Sequence, residues 1–147
     1  MRSILALIII GLISVTACKK DNRSQMEKDI DAIKEYLEEN NLEAQSTSSG
    51  IHYIIEKKGN GPTPTDRSMV TVDYKGKLLN GEVFDKGVET FPLKDLIKGW
   101  REGLKLFNQG GKGTLFIPSK LGYGEKKVSN IPPNSILVFE VDLIYVE

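Results

Sequence analysis

The last thirteen residues of the chain, SILVFEVDLIYVE (135–147), alternate in character, and this pattern constrains the fold more than any other. One series contains Glu140 and Asp142. The other is made of large apolar and aromatic side chains: Leu137, Phe139, Val141, Leu143 and Tyr145. Because successive side chains of a β-strand point to opposite faces, the segment predicts a strand with one buried and one mixed face. Such a strand is typical of an antiparallel sheet.

Further segments upstream are also rich in β-forming residues. They are IHYIIEK (51–57), SMVTVDYKGKLL (68–79) and KGTLFIPS (112–119). Asn80-Gly81 follows the second of them and is the strongest short hairpin signal in the chain, and EVF returns from it. These segments predict several strands joined by short connections.

One short helix is predicted among the strands. Its apolar residues recur at steps of three, four and three, and NQGG ends the pattern: Ile97, Trp100, Leu104 and Phe107. The expected fold class is α+β, an antiparallel β-sheet wrapped around one short amphipathic helix.

A second helix is predicted before this domain, in SQMEKDIDAIKEYLEENN (24–41). Ser24 and Glu27 have the spacing of a capping box. Acidic residues fill much of its other faces, and one narrow apolar stripe runs along it: Met26, Ile30, Ile33 and Leu37. The narrow stripe favours a helix packed on its own domain, or a solvated spacer, over a dimerising helix. A monomer is therefore favoured over a dimer.

The first eighteen residues, MRSILALIIIGLISVTAC, form a separate segment. The apolar run from Ile4 to Ile13 has ten residues, too few for roughly 30 Å of hydrocarbon, which takes about 20. With Arg2 before it, the run fits a secretory signal peptide. VTAC resembles a bacterial lipobox, which predicts lipidation of Cys18; the alternative is an ordinary signal peptide with a stray cysteine.

The predicted organisation has three parts. Residues 1–17 are a lipoprotein signal peptide, residues 18–48 a tether and the acidic amphipathic helix, and residues 49–147 the globular domain. The loop-like composition of EAQSTSSG (43–50) places the boundary there. The expected location is the cell envelope, lipid-anchored on the extracytoplasmic side, at the periplasmic side or the cell surface.

Several functional classes are disfavoured by composition. Twenty basic and twenty acidic side chains give no net charge, and no basic stripe indicates nucleic acid. One cysteine excludes an intramolecular disulfide, and His52, the only histidine, makes a zinc site very improbable. His52 is expected to be a partly exposed strand residue. No nucleophile has a usable histidine partner, and neither GNG nor NQGGKG has phosphate-loop spacing.

Four motifs follow one another in the predicted domain: VDYKGKLLNGEVFD, FPLKDLIKGWREGL, IPSKLGYGE and IPPNSILVFEVDLI. Together they closely resemble the FKBP-type peptidyl-prolyl isomerases, over residues 49–147. The resemblance implies an enzyme that accelerates rotation about Xaa-Pro bonds in exported proteins, with no cofactor, metal or covalent chemistry. It also implies proline-containing polypeptide clients and macrolide inhibition.

The resemblance also implies roles for individual residues. Asp85 matches the acid beside the family's pocket, Trp100 its floor, and Tyr123 the hydroxyl that meets the substrate carbonyl. The walls and the apolar pair whose backbone receives the ligand would be Tyr74, Phe84, Leu96, Ile97, Ile131 and Phe139. Taken singly, each of the aromatic residues would most simply be a core residue, so the assignment depends on the joint match.

The sequence departs from the family pattern at two places. KGVET leads directly to FPL, so one family aromatic has no clear counterpart and this wall is expected to be more open. The loop GEKKVSN is short and charged. Lys126 and Lys127 in this loop are more simply explained as solvated residues than as groups that favour acidic clients.

Two other functions stay open at this stage. A binding module or chaperone would keep the pocket but turn over slowly, and an interaction protein would act through helix 24–41. The joint presence of Asp85, Trp100 and Tyr123 favours the enzyme.

Overall fold

The computed structural model describes residues 21–147, and it places them in one antiparallel sheet with two α-helices. The helices are α1 (Gln25–Glu39) and α2 (Lys98–Gly103). The strands are β1 (Gln45–Ser46), β2 (His52–Lys57), β3 (Met69–Leu78), β4 (Val83–Pro92), β5 (Lys112–Ile117) and β6 (Leu137–Val146). The predicted α+β class, with a short helix on the sheet and an N-terminal helix before it, is confirmed.

The predicted signal peptide (1–17) and Cys18 lie outside the described residues. Within residues 21–147, neither helix has the length and apolar character needed to cross a bilayer.

The strands follow the spatial order β1-β2-β5-β6-β3-β4, and neighbouring strands are antiparallel. Two glycines let α2 pack closely against β5. A Cβ atom on Gly99 would lie 2.4 Å from Cγ2 of Ile117, and one on Gly103 would lie 2.6 Å from Cδ1 of Leu115. Because neither glycine has a side chain, the helix backbone approaches the sheet and carries Trp100 into the core on this face.

The predicted stripe of the short helix lies in that core. Trp100, Leu104 and Phe107 are buried, and Ile97 is half-buried. α2 is shorter than the stripe, because the chain tightens after Gly103 into a 3-10 turn. Around it the sheet contributes fully buried side chains, among them Val70, Val72, Leu115, Ile117, Leu137 and Leu143.

The hairpin predicted at Asn80-Gly81 is confirmed, and Gly81 takes a φ of 90° in the turn. The returning strand is longer than EVF alone, because β4 continues through KGVET to Pro92 and pairs with β3 over this length. β4 is the edge strand of the sheet, and most of its side chains are exposed. Its sequence therefore shows no apolar alternation from which its length could be predicted.

The alternation of β6 shifts at its C-terminal end. Thr71 pairs with Tyr145 and Val72 pairs with Leu143, so one residue of β6 has no partner on β3. Beyond this bulge Val146 is buried, whereas Tyr145 is 52% exposed. Placing Tyr145 on the buried face was wrong, because the extra residue of a bulge moves the following side chains to the other face.

α1 begins with the predicted capping box. The Ser24 hydroxyl accepts a hydrogen bond from the Glu27 amide at 3.3 Å, and the Ser24 amide donates to Oε2 of Glu27 at 2.7 Å. On the apolar stripe, Ile33 and Leu37 are buried, and Met26 and Ile30 are half-buried. The narrow stripe therefore faces protein along its whole length.

The helix α1 covers the face of the sheet opposite to α2. Its buried residues pack in a cluster with Phe116 of β5 and Val138 of β6. These two alternate along their strands with Leu115 and Phe139, which belong to the core beneath α2. The favoured interpretation, a helix packed on its own domain, is confirmed.

Three local features differ from the expectations. Gln45–Ser46 forms the short strand β1 within the predicted loop 43–50. His52 is buried rather than partly exposed, because its ring turns back on the chain and Nδ1 lies 3.1 Å from the carbonyl oxygen of Gly50. Asp29 is 3% exposed although the acidic residues were expected on the outer faces of α1. The boundary between residues 18–48 and 49–147 stays a prediction.

Replacing Gly99 with valine is expected to destabilise the fold by about 1–3 kcal/mol, because the new side chain would overlap Ile117 in a packed core. Lys98→Val, at the neighbouring exposed position of α2, should change the free energy of unfolding by less than about 0.5 kcal/mol. Urea unfolding followed by Trp100 fluorescence measures both. Equal stability of Gly99→Val and the wild type would contradict the close approach of α2 to β5.

Candidate active site

A pocket opens on the face of the sheet that carries α2. Its volume is about 220 Å³, which is below the roughly 300–1,000 Å³ of pockets for drug-sized ligands. The pocket therefore suits a group about the size of one side chain. Its walls come from β3, β4, β6, the segment around the start of α2 and the turn after β5: Tyr74, Phe84, Asp85, Glu89, Phe91, Leu96, Ile97, Trp100, Tyr123 and Phe139.

The indole of Trp100 forms the floor of this pocket. Three rings stand nearly perpendicular to it, with centroid distances of 5.4 Å to Tyr74, 5.9 Å to Phe91 and 5.1 Å to Phe139. Such edge-to-face pairs contribute about 0.5–1.5 kcal/mol each beyond the area that they bury. The buried Nε1 of Trp100 has no hydrogen-bond partner within residues 21–147. The floor is thus apolar and held by aromatic packing.

A glycine in β3 makes room for the aromatic wall. Phe84 and Phe139 pack edge to face at 5.6 Å and 88°. A Cβ atom on Gly76 would lie 2.7 Å from a ring carbon of each. Gly76 lies between β4 and β6 in the sheet, opposite Asp85 and Phe139. The two phenyl rings can therefore meet across β3 only because this position lacks a side chain.

Asp85 and Tyr74 are joined at one side of the pocket. The Tyr74 hydroxyl donates to Oδ2 of Asp85 at 2.9 Å, and the Lys86 amide donates to Oδ1 at 2.9 Å. Burial, reinforced by the hydrogen bond and the negative charge of Asp85, raises the pKa of Tyr74 to about 12. Tyr74 therefore remains a neutral donor at physiological pH, and its hydroxyl is committed to Asp85.

Tyr123 brings a second hydroxyl to the pocket. It follows a 3-10 turn (Ser119–Leu121) after β5, and its side chain is half-buried. Burial raises the pKa of Tyr123, and the nearby charge of Asp85 raises it further. Among the described residues, no side-chain hydrogen bond involves this hydroxyl. It is a neutral donor available to a bound group.

The structure brings together eight of the nine pocket residues expected from the sequence. The ninth, Ile131, is 5% exposed and packs in the same core cluster as Trp100 and Phe139, so its place in the pocket wall stays a prediction. The roles assigned to these residues stay predictions.

Two lining residues escaped the sequence analysis, Glu89 and Phe91. Both belong to the stretch of β4 that was not recognised as strand. Phe91 supplies an aromatic ring on this side of the pocket and packs against Trp100 and Tyr74; the more open wall stays a prediction. Glu89 and Phe91 are two residues apart, so both would be placed on the pocket face once KGVETF is interpreted as part of a strand.

The arrangement suits binding without bond-making chemistry. No cluster of three or more His, Cys, Asp or Glu that could hold a metal ion occurs within residues 21–147. The pocket offers an aromatic floor for an apolar ring and a free hydroxyl at Tyr123 for a carbonyl. A cyclic side chain next to a peptide carbonyl fits both features.

Comparisons with known proteins agree with this geometry. The profile of the family described as FKBP-type peptidyl-prolyl cis-trans isomerase matches residues 61–144. The FKBP-type isomerase FkpA of Buchnera aphidicola subsp. Schizaphis graminum is 48% identical over 104 residues, 67% of this chain and 41% of that protein. FkpA of Escherichia coli K12 is 40% identical over 140 residues, 88% of this chain and 52% of that protein. The chain thus spans about half the length of these relatives.

Solved structures show the same likeness. The crystal structure of FkpA from Escherichia coli has a TM-score of 0.73 and 42% identity, covering 84% of this chain and 63% of that one. A peptidyl-prolyl cis-trans isomerase from Pseudomonas syringae pv. tomato has a TM-score of 0.71 and 30% identity, covering 86% of this chain and 99% of that one. The similarity therefore includes both fold and sequence.

The raised pKa of Tyr74 predicts an alkaline limit of stability. Its ordinary value of 10.0 applies to the unfolded chain, whereas the folded value is about 12. The stabilisation is therefore complete below pH 10 and is lost as the pH rises towards 12, because the buried phenol resists ionisation. Between these pH values, the free energy of unfolding should fall more steeply for the wild type than for Tyr74→Phe.

Tyr145→Phe is the matched control, since Tyr145 is half exposed on the far end of β6. Its free energy of unfolding should follow that of the wild type over the same pH range in urea titrations. Parallel curves for the wild type and Tyr74→Phe would contradict the burial of the Tyr74 hydroxyl and its raised pKa.

Proposed function

The chain belongs to the FKBP-type peptidyl-prolyl cis-trans isomerase family, and from this premise we propose that it accelerates rotation about Xaa-Pro bonds in exported polypeptides. The observation that carries the proposal is the free Tyr123 hydroxyl beside an aromatic pocket sized for one ring. A proline ring on the Trp100 floor would bring its preceding carbonyl group near this hydroxyl. The reaction then needs only binding and orientation.

The chemistry of the imide bond explains why such a site suffices. Rotation breaks amide resonance across a barrier of roughly 18–20 kcal/mol, and the uncatalysed exchange takes tens to hundreds of seconds. No proton, electron or group has to be transferred. An enzyme needs only to bind the twisted imide more tightly than the planar one.

The residues divide this work between them. Trp100, Phe84 and Phe139 would hold the proline ring in apolar surroundings. Because the planar amide has more charge separation than the twisted amide, these surroundings disfavour the ground state. Tyr123 would donate a hydrogen bond to a carbonyl oxygen next to the rotating bond, and the charged Asp85 would fix Tyr74 without exchanging a proton.

The backbone at the start of α2 offers a further donor. The Ile97 carbonyl accepts hydrogen bonds from the amides of Trp100 and Arg101, whereas the Ile97 amide donates no backbone hydrogen bond within residues 21–147. Leu96 and Ile97 line the pocket at this point. This amide would receive a carbonyl of the bound polypeptide, or of a macrolide inhibitor.

The proposal includes an envelope location. The sequence VTAC before Lys19 supports signal-peptide cleavage and lipidation at Cys18, with the residues before α1 as the tether to the membrane. Several acyl chains would give a stable anchor, since each buried methylene contributes about 0.8 kcal/mol. The clients would then be proline-containing proteins that fold outside the cytoplasm.

Activity should depend on the two polar pocket residues. We expect the wild type to accelerate isomerisation of Xaa-Pro tetrapeptides in a protease-coupled assay, with inhibition by a macrolide. Tyr123→Phe and Asp85→Ala should each lower kcat/KM by about tenfold, because the first removes the donor to the substrate carbonyl and the second removes the acceptor of the Tyr74 hydroxyl. The peptides should vary the residue before proline.

Matched controls are available for both substitutions. Tyr145→Phe and Asp95→Ala make the same changes at exposed positions outside the pocket, and their kcat/KM should equal that of the wild type. A folded wild type that binds a proline peptide without accelerating isomerisation would refute the enzyme and leave a binding module.

The anchor is tested separately in a bacterial host with lipoprotein processing. The mature wild type should begin at Cys18, carry added acyl mass and enter the detergent phase on Triton X-114 partitioning. Cys18→Ser should lose the added mass and the detergent-phase partitioning, whereas Ser14→Ala should keep both. Cleavage of the wild type without added mass would favour the ordinary signal peptide instead.

A further inference from the structure

We infer that Asp29 of α1 is a positioning residue for Tyr123, so that the N-terminal helix helps to place the free hydroxyl of the pocket. The inference rests on the proposed function, because the position of Tyr123 affects turnover only if the pocket is an isomerase site. It is carried by a continuous set of hydrogen bonds from one face of the sheet to the pocket turn.

The first link is a buried carboxylate that accepts three hydrogen bonds. Oδ2 of Asp29 accepts from the Ser119 amide at 2.7 Å and from the Ser119 hydroxyl at 2.5 Å, and Oδ1 accepts from Nε2 of Gln25 at 2.7 Å. Asp29 is 3% exposed and Ser119 is fully buried. Loss of this carboxylate would leave a buried amide and hydroxyl without their partner.

The second link runs through the backbone of Ser119. Its carbonyl oxygen accepts from the Gly122 amide at 3.0 Å and from the Gly124 amide at 2.8 Å. These two residues flank Tyr123. The Gly124 carbonyl in turn accepts from the Asn134 amide at 2.7 Å, which closes the loop that follows the pocket. Holding Ser119 therefore holds the backbone on both sides of Tyr123.

This backbone support of Tyr123 adds to the packing of its ring against the core. Its hydroxyl has no hydrogen-bond partner among the described residues, and its side chain is only half-buried. Both neighbours are glycines, which have the widest conformational freedom, and Gly124 adopts a φ of 60°. The turn and the core packing together therefore set the position of the ring, and Asp29 provides that turn with its buried polar anchor.

The helix α1 is then more than a cover for the sheet. Its apolar residues Ile33 and Leu37, which follow Asp29 by about one and two helical turns, attach it to Phe116 and Val138. Asp29 lies nearer the N-terminal end, where α1 passes the 3-10 turn that precedes the pocket loop. Apolar packing fixes the orientation of the helix, and the hydrogen bonds of the Asp29 carboxylate connect the helix to the turn.

Two substitutions at this position separate the hydrogen bond from the charge. Asp29→Ala removes the acceptor for Ser119. Asp29→Asn keeps it, because the amide oxygen can face Ser119 while the NH2 group faces Gln25, whose own amide can flip. Asp31→Ala is the matched control on the exposed side of the same helix, with a side chain 54% exposed.

Steady-state kinetics of the full-length protein in detergent provide the first test, well below the unfolding temperature of each variant. Asp29→Ala should lower kcat by about tenfold with KM changed by less than about twofold, because the misplaced hydroxyl affects the twisted state more than peptide binding. Asp29→Asn and Asp31→Ala should stay near the wild type. An unchanged kcat in folded Asp29→Ala would overturn the inference.

A double-mutant cycle tests whether the effect passes through Tyr123. In a Tyr123→Phe background the hydroxyl is absent, so Asp29→Ala should lower kcat by less than about twofold more. A repeated tenfold loss in this background would overturn the inference, because Asp29 would then act on catalysis independently of Tyr123.

Amide hydrogen exchange gives a readout that does not depend on activity. In Asp29→Ala the Gly122 and Gly124 amides should exchange at least about tenfold faster than in the wild type. This increase should exceed any increase at the Phe139 amide, which lies in the central strand β6 and reports general destabilisation. Equal acceleration at all three amides would indicate general destabilisation and overturn the inference. An inactive wild type would refute the proposed function. The amide exchange rates of Gly122 and Gly124 would then still show whether Asp29 holds the turn.

Discussion

The perpendicular packing of the Trp100 indole against three other rings is the contact on which the rest of the structure depends. Tyr74 comes from β3, Phe91 from β4 and Phe139 from β6, so one side chain of α2 joins three neighbouring strands. The indole reaches them because Gly99 lets the helix lie close to β5. The same rings line the pocket. Stability and binding therefore depend on one set of contacts, and a loosened core would also widen the site.

Because the rings of the core also line the pocket, the pocket contains few polar groups, and these groups have different roles. The Tyr74 hydroxyl is committed to Asp85, which also accepts from the Lys86 amide. The Tyr123 hydroxyl has no such bond among the described residues and is held neutral by burial. One fixed pair and one free donor beside an apolar floor suit a reaction in which a carbonyl turns and no bond is made or broken. The two faces of the sheet cooperate in this arrangement, because α1 on the far side anchors the turn that carries Tyr123.

Strong local signals made much of the fold predictable. The Asn80-Gly81 turn, the Ser24 capping box and the helical spacing around Trp100 each act over a few residues, so sequence alone sufficed. The long edge strand β4 has no burial pattern, so its length could not be predicted. Phe91 and Glu89 lie in this strand and were therefore not predicted as pocket residues.

Other features depend on tertiary context that no local pattern contains. The bulge that exposes Tyr145 arises from pairing with β3, and the burial of Asp29 arises from a partner ninety residues away in the chain. The prediction of the whole pocket came from the joint match of four motifs to a family, because each aromatic residue alone predicts only a core position.

In the proposed reaction, an Xaa-Pro bond rotates while the proline lies on the Trp100 indole beside the Tyr123 hydroxyl. Two-dimensional exchange NMR on a proline peptide, with the protein at substoichiometric concentration, measures cis–trans exchange and locates binding in the same sample. We expect accelerated exchange, with the largest shift changes at the Trp100 indole N–H and at the Tyr123 ring. Shift changes at these groups without acceleration, or acceleration without them, would contradict the proposed reaction.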